Sequence, residues 1–552
     1  MKKTLVLALF CGAILFFLGR ELNPFNLRFF TVHDNTQVAR LSEFAFNLKS
    51  GIIPPRIAPH FSFNYGIPVF NFYAPFSAWI GGILSLIISP AIVLKILALC
   101  GLLVGFISMF LLVSSLFSFW PGILSATVYS SSLWMAVEIF IRGNVGEIWF
   151  MALFPLALFF ISHPHKKTSV WFYILGSLTI AATLTVHNVL SLISLIIFVG
   201  ALFVIKEKKR AITMLLCGLL LSSSFLIPAL LENNLTYASD IASKTKYTDH
   251  FLCTWQLWRA MKWSYGGSGI GCLNDDMSFQ VGKPHIMLGV LGMIIFLYEF
   301  FKKRKIQNVL VSFFILAIGV FSAFLTLSYS KPIWDLLSPV MKVFQFPWRF
   351  LSFLLFSLSF FSAYVFSQIK IVKFQVIGVT ICSLALLFLS GKFFTNPWQY
   401  SLGEYSEMFL TGKYIEKKAA YEIPEYFPRT GSYQAWRASE KFGLDSNMDN
   451  ILTLVNRPFF KQYKMMNETV VIPLHYFPVW NMQIGTMSIT PTQFDTLGRP
   501  QIKAPIGSII TVTYRETPIE TGANVLSGIG FIFLFLLVIN KKIWKKLNHI
   551  NN

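Results

Sequence analysis

The sequence predicts an α-helical polytopic membrane protein of about 12 transmembrane helices, with a C-terminal extracytoplasmic domain of mainly β structure. Three observations carry that prediction. Of 552 residues, 55% are apolar and only 13% charged, where a soluble chain would carry about 25% charged residues. Mean hydropathy is +0.61. Finally, most of the formal charge of +21 is concentrated in short runs between apolar stretches. These runs are Lys2-Lys3, Lys166-Lys167, Lys206 to Arg210, Lys302 to Lys305, Lys370 with Lys373, and Lys541 to Lys546, and they hold 18 Lys and Arg against one acid, Glu207. Excess Lys and Arg in short loops is the positive-inside signal of a membrane protein. The charge therefore reports topology and lends no support to a nucleic-acid partner.

Apolar stretches of spanning length fall at 4–18, 92–117, 121–141, 147–162, 170–186, 189–205, 211–231, 285–301, 307–328, 349–367, 374–390 and 524–540. The first follows Lys2-Lys3 without a small-residue cleavage site before Glu21, and is expected to be an uncleaved span. Segment 76–89 is also apolar, but it is short and closed by Pro90; either it is a half-inserted helix or one of the next two segments fails to cross, so the expected total is 12 spans, give or take one. With the basic runs cytoplasmic, both termini lie inside, and the outside receives 19–75, 142–146, 187–188, 232–284, 329–348 and 391–523. The chain then divides into a membrane core (1–390, carrying outer loops 19–75 and 232–284), an outer domain (391–523), and a last span with a basic tail (524–552).

Segment 391–523 holds 13 basic and 12 acidic residues, and alternates in strand fashion at Thr469 to Leu474 and Ser508 to Tyr514. Four cysteines fall in apolar spans (Cys11, Cys100, Cys217, Cys382), whereas Cys253 and Cys272 share outer loop 232–284, where thiols oxidise. A disulfide between these two is expected.

The sequence carries no phosphate loop, Gly-x-Ser-x-Gly, paired-Cys zinc pattern or His-Glu-x-x-His. What remains is a set of ionisable residues at the outer ends of spans, where their cost near lipid marks a site or pathway. In Thr31-Val32-His33-Asp34-Asn35-Thr36-Gln37, Asp34 and Gln37 match a helix cap, and His33, Gln37 and Arg40 are expected on one helical face. The alternative role for Asp34 is a base that takes a proton from an acceptor hydroxyl. In Arg142-Gly143-Asn144-Val145-Gly146-Glu147, Asn144 again suits a cap while an Arg and a Glu meet the interface together. In Phe346-Pro347-Trp348-Arg349, Arg349 sits at the positive end of a helix on the outside, a conflict that snorkelling or a bound anion would relieve. Arg56 and the pair His187-Asn188 are weaker candidates of the same kind.

The motifs His33-Asp34 … Arg40 … Pro54-Pro55-Arg56 … Tyr65-Gly66-Ile67-Pro68 … Asn71-Phe72-Tyr73-Ala74-Pro75 resemble the first outer loop of the GT-C superfamily of polytopic membrane glycosyltransferases. More narrowly, they are similar to the bacterial pyruvoyl-tetrahydropterin-synthase-related, YfhO-like membrane protein group. The similarity runs on through Arg142-Gly143 … Glu147, His187-Asn188, Phe346-Pro347-Trp348-Arg349, Tyr476-Phe477-Pro478-Val479-Trp480 … Gly485 and Ala504-Pro505-Ile506-Gly507. It implies transfer of a sugar from a polyprenyl-phosphate donor to an envelope glycan, lipid or protein acceptor on the outer face of a bacterial inner membrane. Asp34, beside His33, takes the catalytic role. Arg349, Arg142 and Arg56 take the carrier phosphate, with Glu147, Arg40, His187 and Asn188 around the substrate. Many GT-C members pair two acids in this loop, whereas here Asp34 stands between His33 and Asn35, so no metal or other cofactor is predicted. Nothing supports pterin chemistry. Two other classes remain open on the residues: a transporter or flippase of lipid-linked intermediates, which favours mid-span charges and broken helices, and a non-catalytic scaffold whose β domain binds glycan.

Overall fold

The computed structural model describes residues 3–164, 169–238, 240, 246–259, 263–302, 308–442 and 450–539. The basic runs at 166–167, 303–305 and 541–546 lie outside the described residues. The helices α1 (Lys3–Phe17), α2 (Thr36–Lys49), α3 (Phe76–Leu84), α4 (Pro90–Leu116), α5 (Phe119–Ser130), α6 (Leu133–Val137), α7 (Val145–Ser162), α8 (Val170–Leu184), α9 (Asn188–Ala201), α10 (Lys208–Leu231), α11 (Lys283–Phe301), α12 (Val309–Thr326), α13 (Pro347–Ser367), α14 (Val372–Gly391), α15 (Leu402–Phe409), α16 (Tyr433–Phe442) and α17 (Pro518–Ile539) make up most of the chain.

Eight described helices are long and apolar enough to cross a membrane, or nine if the bent pair α5 and α6 counts as one span. Three further apolar helices (α1, α8 and α9) are only 14 to 15 residues long. Helices α7 and α13 form the centre of the bundle, 83% buried along their apolar windows, against 28% for α11, α14 and α17 at its edge. Without water to squeeze helices together, contact depends on small residues that let backbones approach. Gly101 and Gly105 of α4 face Ile148 and Ala152 of α7, and Gly289 and Gly292 of α11 face Leu358 and Phe361 of α13.

The expected continuous helix over 121–141 is broken. Ser131 turns its hydroxyl back onto the Thr127 carbonyl, and the Ser132 hydroxyl caps α6 by accepting from Met135 N at 3.1 Å. Serines that bond backbone in this way bend helices, and here the axis turns by 43°. One wide π turn (Glu138–Arg142) then ends at Gly143 in the left-handed region. A Cβ on Gly143 would sit 2.2 Å from Val32 Cγ2, so glycine lets the first loop lie against this turn. Segment 76–89 contains the nine-residue α3, too short to cross.

Outside the bundle, the first loop and the C-terminal region share one hydrophobic core in place of two separate bodies. Strand β1 (Arg28–Phe30) pairs antiparallel with β2 (Gln399–Ser401). Phe44, Phe61, Phe70 and Phe72 of the first loop pack in the same cluster as Tyr405, Trp436, Tyr463, Ile510 and Val512. The region beyond α14 was expected to be mostly β; it starts helical, at α15 and α16, and its strands follow. Its strands are β3 (Ile451–Arg457), β4 (Phe460–Met465), β5 (Thr469–Val471), β6 (Trp480–Ile484), β7 (Met487–Ile489), β8 (Gln493–Phe494), β9 (Pro500–Lys503) and β10 (Ile509–Tyr514). They form a five-stranded antiparallel sheet in the order β3-β4-β10-β6-β7 and a three-stranded sheet in the order β5-β9-β8. Alternation is regular: Ile510 and Val512 are fully buried, and the residues between them face outward. Cys253 and Cys272 are joined by a disulfide, with Cα atoms 5.6 Å apart.

The α11–α13 contact is testable. A Cβ at Gly292 would stand 1.8 Å from the Phe361 carbonyl oxygen, a backbone atom that no rotamer change can move aside. Gly292→Ala is expected to destabilise the bundle by about 1–3 kcal/mol, the usual range for overpacking, read as a lowered melting temperature in detergent. Gly522→Ala, with open space around it, is the control and leaves the melting temperature unchanged.

Candidate active site

Four chain segments meet where the first loop crosses the end of α6. His33 N donates to the Ile141 carbonyl at 2.9 Å and Asp34 N to the Arg142 carbonyl at 3.0 Å. Asn396 Nδ2 bridges the Thr31 and Phe140 carbonyls at 3.0 and 2.8 Å, holding both strands of the junction. The His33 ring approaches the Tyr265 carbonyl at 3.1 Å, and Tyr265 in turn donates to Thr395. Burial holds the His33 imidazole below its ordinary range, so it is neutral at physiological pH and donates from Nε2.

Asp34 does not cap a helix through its side chain. Helix α2 starts one residue later, at Asn35 as N-cap, with no side-chain cap bond. The Asp34 carboxylate instead gathers side-chain donors: Thr36 Oγ1 at 2.9 Å and Arg40 Nη2 at 2.6 Å on Oδ1, and Gln37 Nε2 at 2.6 Å on Oδ2. Gln37 and Arg40 do share a face of α2, while His33 precedes the helix and is not on that face. Arg40 also stacks on Tyr73, 3.9 Å from the ring centroid. Among the described residues its Nε and Nη1 are buried without a hydrogen-bond partner. A narrow crevice of about 50 Å³ opens beside Asp34, with Gln37, Lys95 and Tyr405 in its wall among apolar side chains.

Next to Asp34, on the other side of the Arg142 backbone, lies a second charged group. Glu147, in the first turn of α7, is fully buried. Asn144 caps that turn by accepting from Glu147 N at 3.0 Å, which leaves the carboxylate free to face three cations or donors from three helices. Arg142 Nη2 lies 2.5 Å from its Oε1, His187 Nε2 at 3.4 Å and Arg349 Nε at 3.6 Å. The His187 Nδ1 accepts from Val189 N and Leu190 N, both at 3.2 Å, so the ring proton is on Nε2 and points at Glu147. Arg142 Nε binds Glu138 at 3.1 Å and its guanidinium stacks on Trp348 at 4.2 Å. Arg349 Nη1 binds the Phe344 carbonyl at 2.8 Å. Among the described residues, Arg142 Nη1 and Arg349 Nη2 have no hydrogen-bond partner, so two guanidiniums each keep an N–H edge to offer.

Two expected site residues lie elsewhere. Arg56 donates to Asn71 Oδ1, the Ser224 carbonyl and Asn524 Oδ1 at 2.7 to 3.0 Å, and sits 3.8 Å from Glu516. It is spent on neutralising a separate buried group with Glu232 and Glu520, which Asn71 joins. Asn188 clamps the first loop, giving Nδ2 to the Phe72 carbonyl and taking Ala74 N, at 2.6 and 2.9 Å. The sequence reading also missed Glu138, although an acid four residues before Arg142 in an apolar run was a legible i, i+4 pair. Tyr73 and Asn396 carried no such signal.

No protein-family model matches the sequence, and no curated protein does either. Among solved structures, the chain is similar to the Archaeoglobus fulgidus oligosaccharyltransferase in its apo form (TM-score 0.42, 12% identity, covering 74% of this chain and 60% of that one). It is similar also to the oligosaccharyltransferase AglB of A. fulgidus in complex with an inhibitory peptide and a dolichol-phosphate (TM-score 0.42, 13% identity, 70% and 55%). A third is the A. fulgidus enzyme in complex with zinc and sulfate (TM-score 0.41, 13% identity, 74% and 57%). The chain thus spans less than two thirds of each of these proteins. The likeness is partial, and the functional reading rests on the site itself.

Among the described residues, no group of three or more His, Cys, Asp or Glu side chains is placed to hold a metal ion. Asp34 already accepts from a guanidinium and an amide, which is unlike the free carboxylates a hard divalent cation collects.

Above Arg40 and Asp34, Glu425 adds a further charge from the C-terminal region, and burial pushes its carboxyl up to about 7. A carboxyl that titrates higher in the folded than in the unfolded chain favours folding below its ordinary range, and that contribution is lost as pH rises through about 7. Glu425→Gln is therefore expected to match wild type at pH 4 and to be the more stable protein at pH 8. The gain should be on the order of 1 kcal/mol after discounting for solvent near a half-buried group, measured by thermal melting across that range.

Proposed function

We propose that the protein is a membrane glycosyltransferase that moves a sugar from a polyprenyl-phosphate donor to an acceptor at the outer surface of a bacterial cytoplasmic membrane. One observation carries this reading. Asp34 and the Arg142–Glu147–Arg349 group are joined through the Asp34–Arg142 backbone bond, so a carboxylate able to take a proton stands beside two guanidiniums with unused N–H edges. An acceptor hydroxyl and a lipid phosphate need this pairing, and a lipid-linked donor is reachable only at the ends of membrane helices.

In the proposed reaction the acceptor oxygen attacks the anomeric carbon, and its proton passes to Asp34. The bond from that carbon to the phosphate oxygen breaks, and the departing charge is met by Arg142 and Arg349. Fixed charges aimed at the leaving group are the largest available contribution to rate. Glu147, His187 and Glu138 position those guanidiniums, and Arg40 and Gln37 position Asp34. The sugar and the acceptor class (glycan, lipid or protein) are left to experiment.

Asp34→Asn keeps the shape and most hydrogen bonds while removing the base. It is expected to lower the transfer rate by about 10²–10⁴-fold with a polyprenyl-phosphate sugar and purified protein. A wild-type rate would overturn the assignment. Arg349→Ala is expected to raise the apparent KM for the donor at least tenfold and to leave the KM for the acceptor alone. Equal change in both would point to a role in packing. In a deletion strain, mass spectrometry of surface glycans and lipid carriers is expected to find one sugar missing and its carrier accumulated. An unchanged profile of both would count against the enzyme class.

A further inference from the structure

A second cleft lies well away from the Asp34 site, where the five-stranded sheet meets the start of α17. It encloses about 690 Å³, inside the range of roughly 300–1,000 Å³ typical of small-molecule sites. Tyr476, Trp480, Asn481, Thr490, Arg515 and Thr521 stand in its wall. Thr521 belongs to the first turns of α17, a helix long and apolar enough to cross a membrane, so the cleft lies at one end of that candidate span.

Its hydrogen-bonding groups are under-used. Trp480 is only 3% exposed, yet its Nε1–H has no partner among the described residues, and an unpaired buried donor calls for an explanation. Asn481 makes only long bonds, giving to Thr513 at 3.4 Å and taking from Ser488 at 3.3 Å. The Thr490 and Arg515 side chains are exposed at the rim. The wall carries one cation, Arg515, and one acid, Glu516, which accepts from Asn524 at 2.8 Å and lies 3.8 Å from Arg56. The wall is therefore close to neutral, with aromatic surface on one side and amide, hydroxyl and indole groups around it.

From this geometry we infer that the cleft binds a neutral oligosaccharide. A pyranose presents an apolar C–H face, which an aromatic ring covers, and a rim of hydroxyls that both donate and accept. The half-buried Tyr476 ring supplies the first kind of surface; Asn481, Thr490, Arg515 and Glu516 supply the second. A phospholipid headgroup would need concentrated positive charge, and the single cation here stands next to an acid. The inference goes beyond the transferase reading and does not depend on it: the cleft would hold a glycan chain at this end of the span whichever reaction occurs at Asp34.

The test uses full-length protein in phosphatidylcholine nanodiscs and saturation-transfer NMR with four neutral probes: maltotetraose, isomaltotetraose, cellotetraose and chitotetraose. At least one is expected to receive saturation from the wild-type protein. Thr490→Arg fills the cleft from an exposed position, and Arg515→Ala removes a rim donor; each should cut the signal at least fivefold while the melting temperature holds. Asp34→Asn should leave it unchanged, so the cleft and the transferase reading fail separately. The inference is overturned if none of the four probes receives saturation, or if the signal survives in both cleft variants. It is overturned equally if phosphatidylglycerol in the nanodisc abolishes the wild-type signal, which would assign the cleft to lipid.

Discussion

Glu147 is a fully buried carboxylate in the first turn of an apolar helix, and the arrangement of the site follows from what it costs to keep it there. An ion among hydrocarbon groups persists only when opposite charge and hydrogen bonds replace its lost water. Arg142, Arg349 and His187 do this from three different helices. Each has to leave its own helix end in a particular direction. The π turn before Gly143 aims Arg142, the N-cap geometry of His187 fixes its ring, and the short turn at Pro347 delivers Arg349. Removing any one would strand the others, so the group behaves as a unit.

The same constraint explains why the first loop is not a passive tether. Its backbone finishes the hydrogen bonding of the broken span, with His33 and Asp34 on the carbonyls of Ile141 and Arg142. Its aromatic residues then share a core with the C-terminal sheet. Asp34 is held between two rigid bodies, the helix bundle on one side and that shared core on the other. Thr36, Gln37 and Arg40 fix its carboxylate, and backbone bonds fix the chain beneath it. In the proposed role of proton acceptor, a carboxylate placed this firmly would have little orientation to lose when a substrate arrives, which is how a positioned group gains its advantage.

The parts of this arrangement that were legible in the sequence are those governed by local rules. Apolar length marked the helices, and lone charges at their ends marked Asp34, Arg142, Glu147 and Arg349. Alternation marked β10. The break at Ser131 and Ser132 was not legible, because three serines inside an apolar run are tolerated in a straight helix and only their hydroxyl partners reveal the bend. Arg56 and the pair His187-Asn188 were weaker candidates than Arg349 but of the same kind, polar residues at outer helix ends, and nothing local set Arg56 and Asn188 apart from His187. Their difference is tertiary: Arg56 faces Glu516 and Asn188 faces the backbone of Phe72 and Ala74, and none of these partners is near in sequence. For the same reason the roles of Tyr73 and Asn396, which act on residues more than thirty positions away, could not be read from the sequence, although Tyr73 stands in one of the motifs.

Charge balance indicates what the site is prepared to receive. Arg40 is paired with Asp34, and Arg142 and Arg349 with Glu138 and Glu147, so each guanidinium already faces a carboxyl group. An entering phosphate would therefore be held by orientation: the N–H edges of Arg142 and Arg349 that face no protein acceptor, backed by carboxylates that keep both guanidiniums in place. Such a site binds a monoanionic carrier less tightly than an uncompensated cluster would. In the proposed reaction that would favour release of the carrier after each transfer, because the favourable charge contact would grow only as the sugar–phosphate bond breaks and negative charge develops on the leaving oxygen.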